Sequence, residues 1–465
     1  MYNTRILKPV MLAGLMSLGL AGCSDSDNET ASLRVIHTSP DAPAVNVRLD
    51  DSTGISNLDY AESSGFISIN SGLKDIDVEA IIPSIDNFEF SENTRYTVLA
   101  VNNTNTLEAL VANESASMPA SNEVSIAVIH ASPDAPAVDV YVTGVNTDIN
   151  AVDANFSFSF KEQVDAGALP ADTYRIRVTL AGTKTVAFDS GPVDLSGFAG
   201  QKLVLAAINT TGSTEQAASI IKILAATDSG SLILQDAATM TGARVVHASP
   251  DADAVASGPV EVFASSSALP ISPTELIPAF SYTDIVPAAN SYEPVPAGEY
   301  TFDVAVDGTG IGAAVYTSPA LNLAQGFEYT VIATGYVGLT PAFELLATED
   351  NNRSVITQAS VKVIHAAPLA GLVDVYVTRA GDFSSSDVEN GMAGDPLLDD
   401  FAFASITDYV AVPPGDYDIR VVAGGSTAIN IENFNLAAGS VSSVIARQPN
   451  SSGTPTDFNV IVLSN

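Results

Sequence analysis

Tryptophan is absent, cysteine occurs once and histidine four times in 465 residues. A single cysteine excludes a disulfide within the chain. With so few soft ligands, a structural zinc site inside any one segment is excluded too, since such sites take four Cys or His ligands. Basic residues are scarce, 18 Lys+Arg against 54 Asp+Glu, for a net charge of −36. A chain without basic patches lacks the electrostatic footprint of a nucleic-acid binder. It is also repelled by anionic lipid headgroups. Charged residues total 15%, below the roughly 25% of ordinary soluble domains. Beyond residue 25 no apolar run approaches the roughly 20 residues of a membrane-spanning helix.

What is present starts at the amino terminus. Arg5 and Lys8 precede the apolar run "VMLAGLMSLGLAG", which ends in "LAGC" (Leu20 to Cys23) and gives way to the polar "SDSDNETAS". A basic start, a short apolar stretch and small residues before a cut define a secretory signal. "LAGC" resembles the lipobox of bacterial lipoproteins. The resemblance implies a signal peptide over 1–22 and a lipidated Cys23 as first mature residue. It implies an anchor in a bacterial envelope membrane, and Ser24 points to the outer one. Loss of Arg5 and Lys8 would leave 16 basic residues against 54 acidic ones. Several acyl chains hold a protein on a membrane far better than one.

One phrase recurs. "VIHTSPDAPAVNV" (35–47), "VIHASPDAPAVDV" (128–140), "VVHASPDADAV" (245–255, followed by a small insertion) and "VIHAAPLAGLVDVYV" (363–377) each carry one of the four histidines: His37, His130, His247 and His365. Downstream, "LPADTYRIRV", "VPAGEYTFDV" and "VPPGDYDIRV" share a Pro-turn-Tyr-strand pattern, degenerate in the first copy as "INSGLKDIDV". The later apolar segments "RYTVLAVNN", "KLVLAAINT", "EYTVIATGY" and "SVSSVIARQ" follow in register. The long motif with its downstream tyrosine resembles the bacterial domain of unknown function family numbered 4397, over nearly all of the mature chain. That family is found in exported proteins, often in tandem, and lends fold and setting without residue roles.

Val138, Val140 and Val142 alternate with Asp139, Tyr141 and Thr143, the period of two of a strand. Short strands separated by Gly, Pro, Asn and Asp clusters predict an all-β chain of four tandem antiparallel, Ig-like β-sandwiches. The expected boundaries are a lipidated amino terminus and linker at 23–32 and units at 33–117, 122–236, 242–350 and 359–465. Tyr174, Tyr300 and Tyr417 enter strands just after tight turns, the placement of a tyrosine corner. Short links between similar units predict an extended, bead-like rod.

The motif contains the residue types of a hydrolase triad. His130, Ser132 and Asp134 nevertheless lie within five residues of one Pro-containing turn, whereas a triad needs serine, histidine and carboxylate bonded in a chain. The fourth copy has Ala367 and Leu369 in place of the serine and aspartate. Turn chemistry explains the stretch better: Pro fixes φ, Ser and Asp bond nearby backbone, and a histidine bridges a strand end to the turn. His37, His130, His247, His365, Asp41, Asp134 and Asp251 are therefore read as structural, with no catalytic or metal residues. Weak calcium binding at Asp41, Asp134 and Asp251, with Asp139 and Asp374 nearby, is the one cofactor reading left open, although no EF-hand loop is present.

The expected function is non-catalytic: a lipid-anchored envelope protein, exported and held at the outer membrane, acting as an adhesion or binding module toward an envelope protein or glycan. A purely structural spacer would have no concave pocket in any unit. A hydrolase would carry a site unique to one unit. The largest insertions, Ala264 to Phe280 in the third unit and Arg379 to Pro396 in the fourth, are where a binding surface is expected.

Overall fold

The computed structural model describes residues 29–50, 52–78, 85–114, 117–212, 216–449 and 458–464. The signal segment and Cys23 lie outside the described residues.

Two strands organise each unit. The motif strand ends at the histidine: Thr30–His37, Glu123–His130, Thr241–His247 and Ala359–His365. Beside it runs a central strand: Arg95–Val101, Lys202–Asn209, Glu328–Thr334 and Val441–Arg447. The two are parallel in every unit, and the register always sets the histidine against an alanine: His37 to Ala100, His130 to Ala207, His247 to Ala333, His365 to Ala446. All other strand pairs among the described residues are antiparallel, so the sandwiches are antiparallel apart from this central pair. An antiparallel strand flanks the motif strand, and the last long strand of the unit flanks the central strand.

The second sheet of each unit starts just past the turn, at Val45–Leu49, Val138–Thr143, Val260–Ser265 and Val373–Arg379. It pairs with the downstream Tyr-bearing strand, as in Val140 opposite Val178 and Val375 opposite Val421. Alternation puts Val138 and Val140 inward against Val124, Ile126, Leu203 and Leu205 of the facing sheet. Equivalent inner faces build the first unit around Leu33, Val35, Val47 and Phe90. The chain is therefore all-β, with sandwiches as its structural unit. Thr173–Leu180, Gly298–Val306 and Gly415–Ala423 open with the expected corner: the hydroxyls of Tyr174, Tyr300 and Tyr417 donate to the carbonyls of Pro170, Pro296 and Pro413 at 3.0, 2.7 and 2.7 Å. The first unit has Lys74 there, bonded to Asp50.

The rod expectation is corrected. Ile36, Leu99 and Val101 of the first unit pack with Ile129, Val204, Ile208 and Leu224 of the second in one fully buried cluster. Val246 and Ile332 of the third pack likewise with Ile364, Ile445 and Leu463 of the fourth. The motif-bearing sheets are thus covered on both faces, once by their own sandwich and once by the neighbouring unit. Burial of one such side chain contributes about 1.5–3 kcal/mol, which favours closed pairs over beads. The pairs also touch each other. Met240 donates to the Gln216 carbonyl at 2.9 Å, and Arg353 reaches the Ala42 carbonyl at 2.5 Å and the Asp59 carboxylate.

Candidate functional site

The histidines are buried in all four units, and in three they make the same bond. Nε2 of His37, His130 and His365 meets the carbonyls of Pro43, Pro136 and Gly371, six residues on, at 2.9, 3.0 and 2.9 Å. A carbonyl only accepts, so Nε2 carries the hydrogen. Nδ1 of His37 and His365 accepts from the Ser39 and Ala367 N–H groups at 3.3 Å. The ring thus bridges the strand end to the far side of the turn as a neutral imidazole. Burial pushes its pKa down in these three, to about 4 for His37.

The motif aspartates fasten the same turn to the end of the central strand or the loop after it. Asp41 accepts from the Thr104 N–H and hydroxyl at 2.7 and 2.9 Å, Asp134 from the Asn209 amide at 2.6 Å, and Asp251 from the Val337 N–H at 3.0 Å. The fourth unit, with Leu369 at that position, reverses the bond: the Leu369 N–H donates to Gln448 Oε1 at 2.7 Å, from the loop side. Asp139 accepts from Ser157 and from the Gly182 N–H, and Asp374 from the Asp400 N–H. Among the described residues no three His, Cys, Asp or Glu side chains cluster as metal ligands. The serines point away from the histidines, Ser132 to Asn209 and Ser249 to the Gly335 carbonyl at 2.8 Å. Neither serine therefore meets the imidazole of its own unit.

The third unit breaks the pattern. Seven residues separate the histidine from the next strand in the other units, but twelve lie between His247 and Val260. The extra length forms a short helix, Ala252–Ala256, closed by Ser257 in the left-handed region at φ 60°. The carbonyl six residues on no longer meets the ring. Asp253 lies nearest, with Oδ1 3.4 Å from His247 Nε2 but out of hydrogen-bond geometry, and Oδ2 accepting from the Tyr282 N–H at 2.9 Å. That imidazole holds the Asp253 carboxyl below the usual carboxylate range against the opposing effect of burial.

Beside this pair the sandwich is open. A cavity of about 360 Å³ lies between the two sheets, walled by Val262, Phe280, Phe302 and Val331 and touched by His247. The corresponding spaces in the second and fourth units are about 20 and 50 Å³. The loop after the central strand forms one wall. It turns at Gly335, φ 77°, where a Cβ would lie 2.2 Å from the Ala342 carbonyl oxygen, so only glycine lets Tyr336 and Phe343 fold over the cavity. The Ala264-to-Phe280 insertion, the place expected to hold a binding surface, contributes only Phe280 to the lining. Sequence reasoning missed Asp253, Val255 and Leu339. The signal for the first two was the five-residue excess after His247.

Both pairs carry a buried charge group at the same repeat position. Arg34 and Arg244, three residues before His37 and His247, bond Thr97 and Thr330 and pair with Glu114 and Asp350. The second and fourth units have Ala127 and Lys362 there. The third unit thus repeats the first in this network, which makes the pair of sandwiches the larger repeat.

A family model described as Domain of unknown function (DUF4397) matches residues 31–141 and 241–376, more than half of the chain. The chain belongs to this family. Each DUF4397 match starts on the motif strand of an odd unit and ends at the motif tyrosine of the next, Tyr141 or Tyr376, in step with the pairwise repeat. No curated protein matches the chain. Among solved structures, the TIE protein of Bacillus anthracis is similar at 12% identity over 90% of this chain and 68% of its own, with a TM-score of 0.15. A streptococcal ancillary pilin is similar at 10% identity over 71% of this chain and 100% of its own, TM-score 0.14. Two B repeat units of the Staphylococcus aureus collagen-binding protein are similar at 8% identity over 94% and 92%, TM-score 0.12. Among the described residues no helix is long and apolar enough to cross a membrane.

Proposed function

We propose that this DUF4397 chain is a non-catalytic binding protein of the bacterial cell envelope, held by lipid on Cys23 and presenting its paired sandwiches to an envelope protein, a glycan or a small ligand. The observation that supports binding is the cavity of the third unit, found where the repeat departs from its own pattern. A spacer has no use for it. A hydrolase is disfavoured because Ser249 is bonded to the Gly335 carbonyl and away from His247. The anchor reading rests on "LAGC" and the lone cysteine.

The anchor is tested by expressing the full chain and its Cys23→Ser variant in a double-membrane bacterium fed labelled palmitate. The parent is expected to carry label and sediment with outer membrane, and the variant to be unlabelled and soluble. An unlabelled, soluble parent would remove the lipoprotein reading.

A further inference from the structure

We infer that the third unit binds one small uncharged amphiphile, with its apolar body between the sheets and a single hydroxyl-type polar end at the His247 imidazole. This rests on the binding reading above and gives it a site and a ligand class.

Size sets the first limit. An apolar cavity of about 150 Å³ stays dry and admits benzene. The 360 Å³ here suits roughly one or two rings, or a chain of about ten carbons. Ligand sites in general start near 300 Å³ and combine apolar walls with a few polar groups. The spaces in the second and fourth units fall far below that range.

Access is the second observation. Val255, Val315 and Leu339 border the cavity and are 57, 67 and 63% exposed. Three large aliphatic side chains that both line the cavity and face solvent leave an apolar path to the interior.

Charge sets the ligand class. Among the described residues no Asp, Glu, Lys or Arg lines the cavity, so a charged end would be buried without a counter-ion. Asp253, with Oδ1 3.4 Å from His247 Nε2, further repels a carboxylate. The polar lining consists of His247, 1% exposed with neither ring nitrogen in hydrogen-bond geometry with a partner, and the tyrosines 316 and 336, the latter bonded to Gln448. A hydroxyl can donate to a free imidazole nitrogen and accept in turn. It is the end group this wall satisfies.

The test uses the full chain carrying Cys23→Ser, which removes the anchor's acyl chains as competitors. The probe is the uncharged fluorophore N-phenyl-1-naphthylamine. Its emission is expected to rise and saturate at one probe per chain, and to be reversed by 1-decanol at a tenth of the concentration needed with decanoate or decylamine. Ala256→Trp fills the cavity from the helix, and Leu339→Asp charges the exposed mouth without touching the core. Each is expected to weaken the probe at least tenfold, with the thermal midpoint of Leu339→Asp unchanged. Absence of saturable binding, or parent-like binding by both variants, would overturn the site. Displacement by decanoate or decylamine as readily as by decanol would overturn the uncharged ligand class. Neither result depends on whether Cys23 is lipidated.

Discussion

His37 is fully buried, with a pKa pushed down to about 4 by loss of solvent. The unfolded chain takes a proton on that ring near the ordinary imidazole value of 6.5; the folded chain does not until about 4. Unfolding therefore binds a proton between those values, so the stabilisation is complete above pH 6.5 and is lost as pH falls toward 4. The shift corresponds to about 3 kcal/mol. Thermal melts from pH 7 to 4 should show this acid limb, and His37→Gln should flatten it. His130 and His365 shift in the same direction for the same reason. At the tyrosine corners, Tyr300→Phe and Tyr417→Phe should each lose about 1 kcal/mol, measured by urea unfolding. Tyr174→Phe should lose less, because its hydrogen bond is exposed to water. The positions of the histidines, which recur four times, and of the aspartates and corner tyrosines, three times each, stand out in the sequence by repetition. Asp253 does not, because its role exists only where the repeat is broken.

Among the elements, the turn and the central strand carry most of the organisation. The bond between turn and following loop survives in the fourth unit although its aspartate is gone, because Gln448 supplies the acceptor from the other side. Gln448→Ala should therefore destabilise the fourth unit by about 1–2 kcal/mol, comparable to Asp134→Ala in the second, as read by hydrogen exchange of the adjoining strands. Alternation correctly placed the outer strands. The parallel pairs were harder to read, since a strand covered on both faces gives a continuous apolar run. Lys202–Asn209 and Glu328–Thr334 are buried at every position. That unbroken burial was visible as "KLVLAAIN" and "EYTVIAT", and it signalled a second layer against the strand. Asp350 sits where one such layer meets the next, in contact with Arg244, Lys362 and Tyr409. Asp350→Asn leaves two buried cations short of charge and should lose about 3–5 kcal/mol in equilibrium unfolding.

For the whole molecule, the units come in pairs. A fragment holding only residues 122–236 would expose Ile129, Val204, Ile208 and Leu224 to water. It should self-associate, whereas 29–240 should run as a monomer in light scattering coupled to gel filtration. Ile129→Asp in that two-unit fragment should separate the sandwiches and enlarge the scattering radius. The arrangement was illegible from linker length, because a short link permits either a bead chain or a folded-back pair. The choice lies in the apolar outer faces. Linker residues then join pair to pair, with the Ile356 N–H on the Asp41 carbonyl and Arg353 beside Asp59.

The parallel pairing of the motif and central strands has a mechanical consequence. A tether pulling at Thr30 draws the first motif strand along its own axis, past Arg95–Val101 on one side and Ile67–Asn70 on the other. The backbone bonds between these strands lie across the pull and are loaded together in shear, so they resist as a group; a hairpin pulled from its open end would release them one at a time. Sharing a buried face with the second unit adds that sandwich to the resisting block. Under tension from its amino-terminal end, the first two units should yield together in one large step, as single-molecule stretching would read.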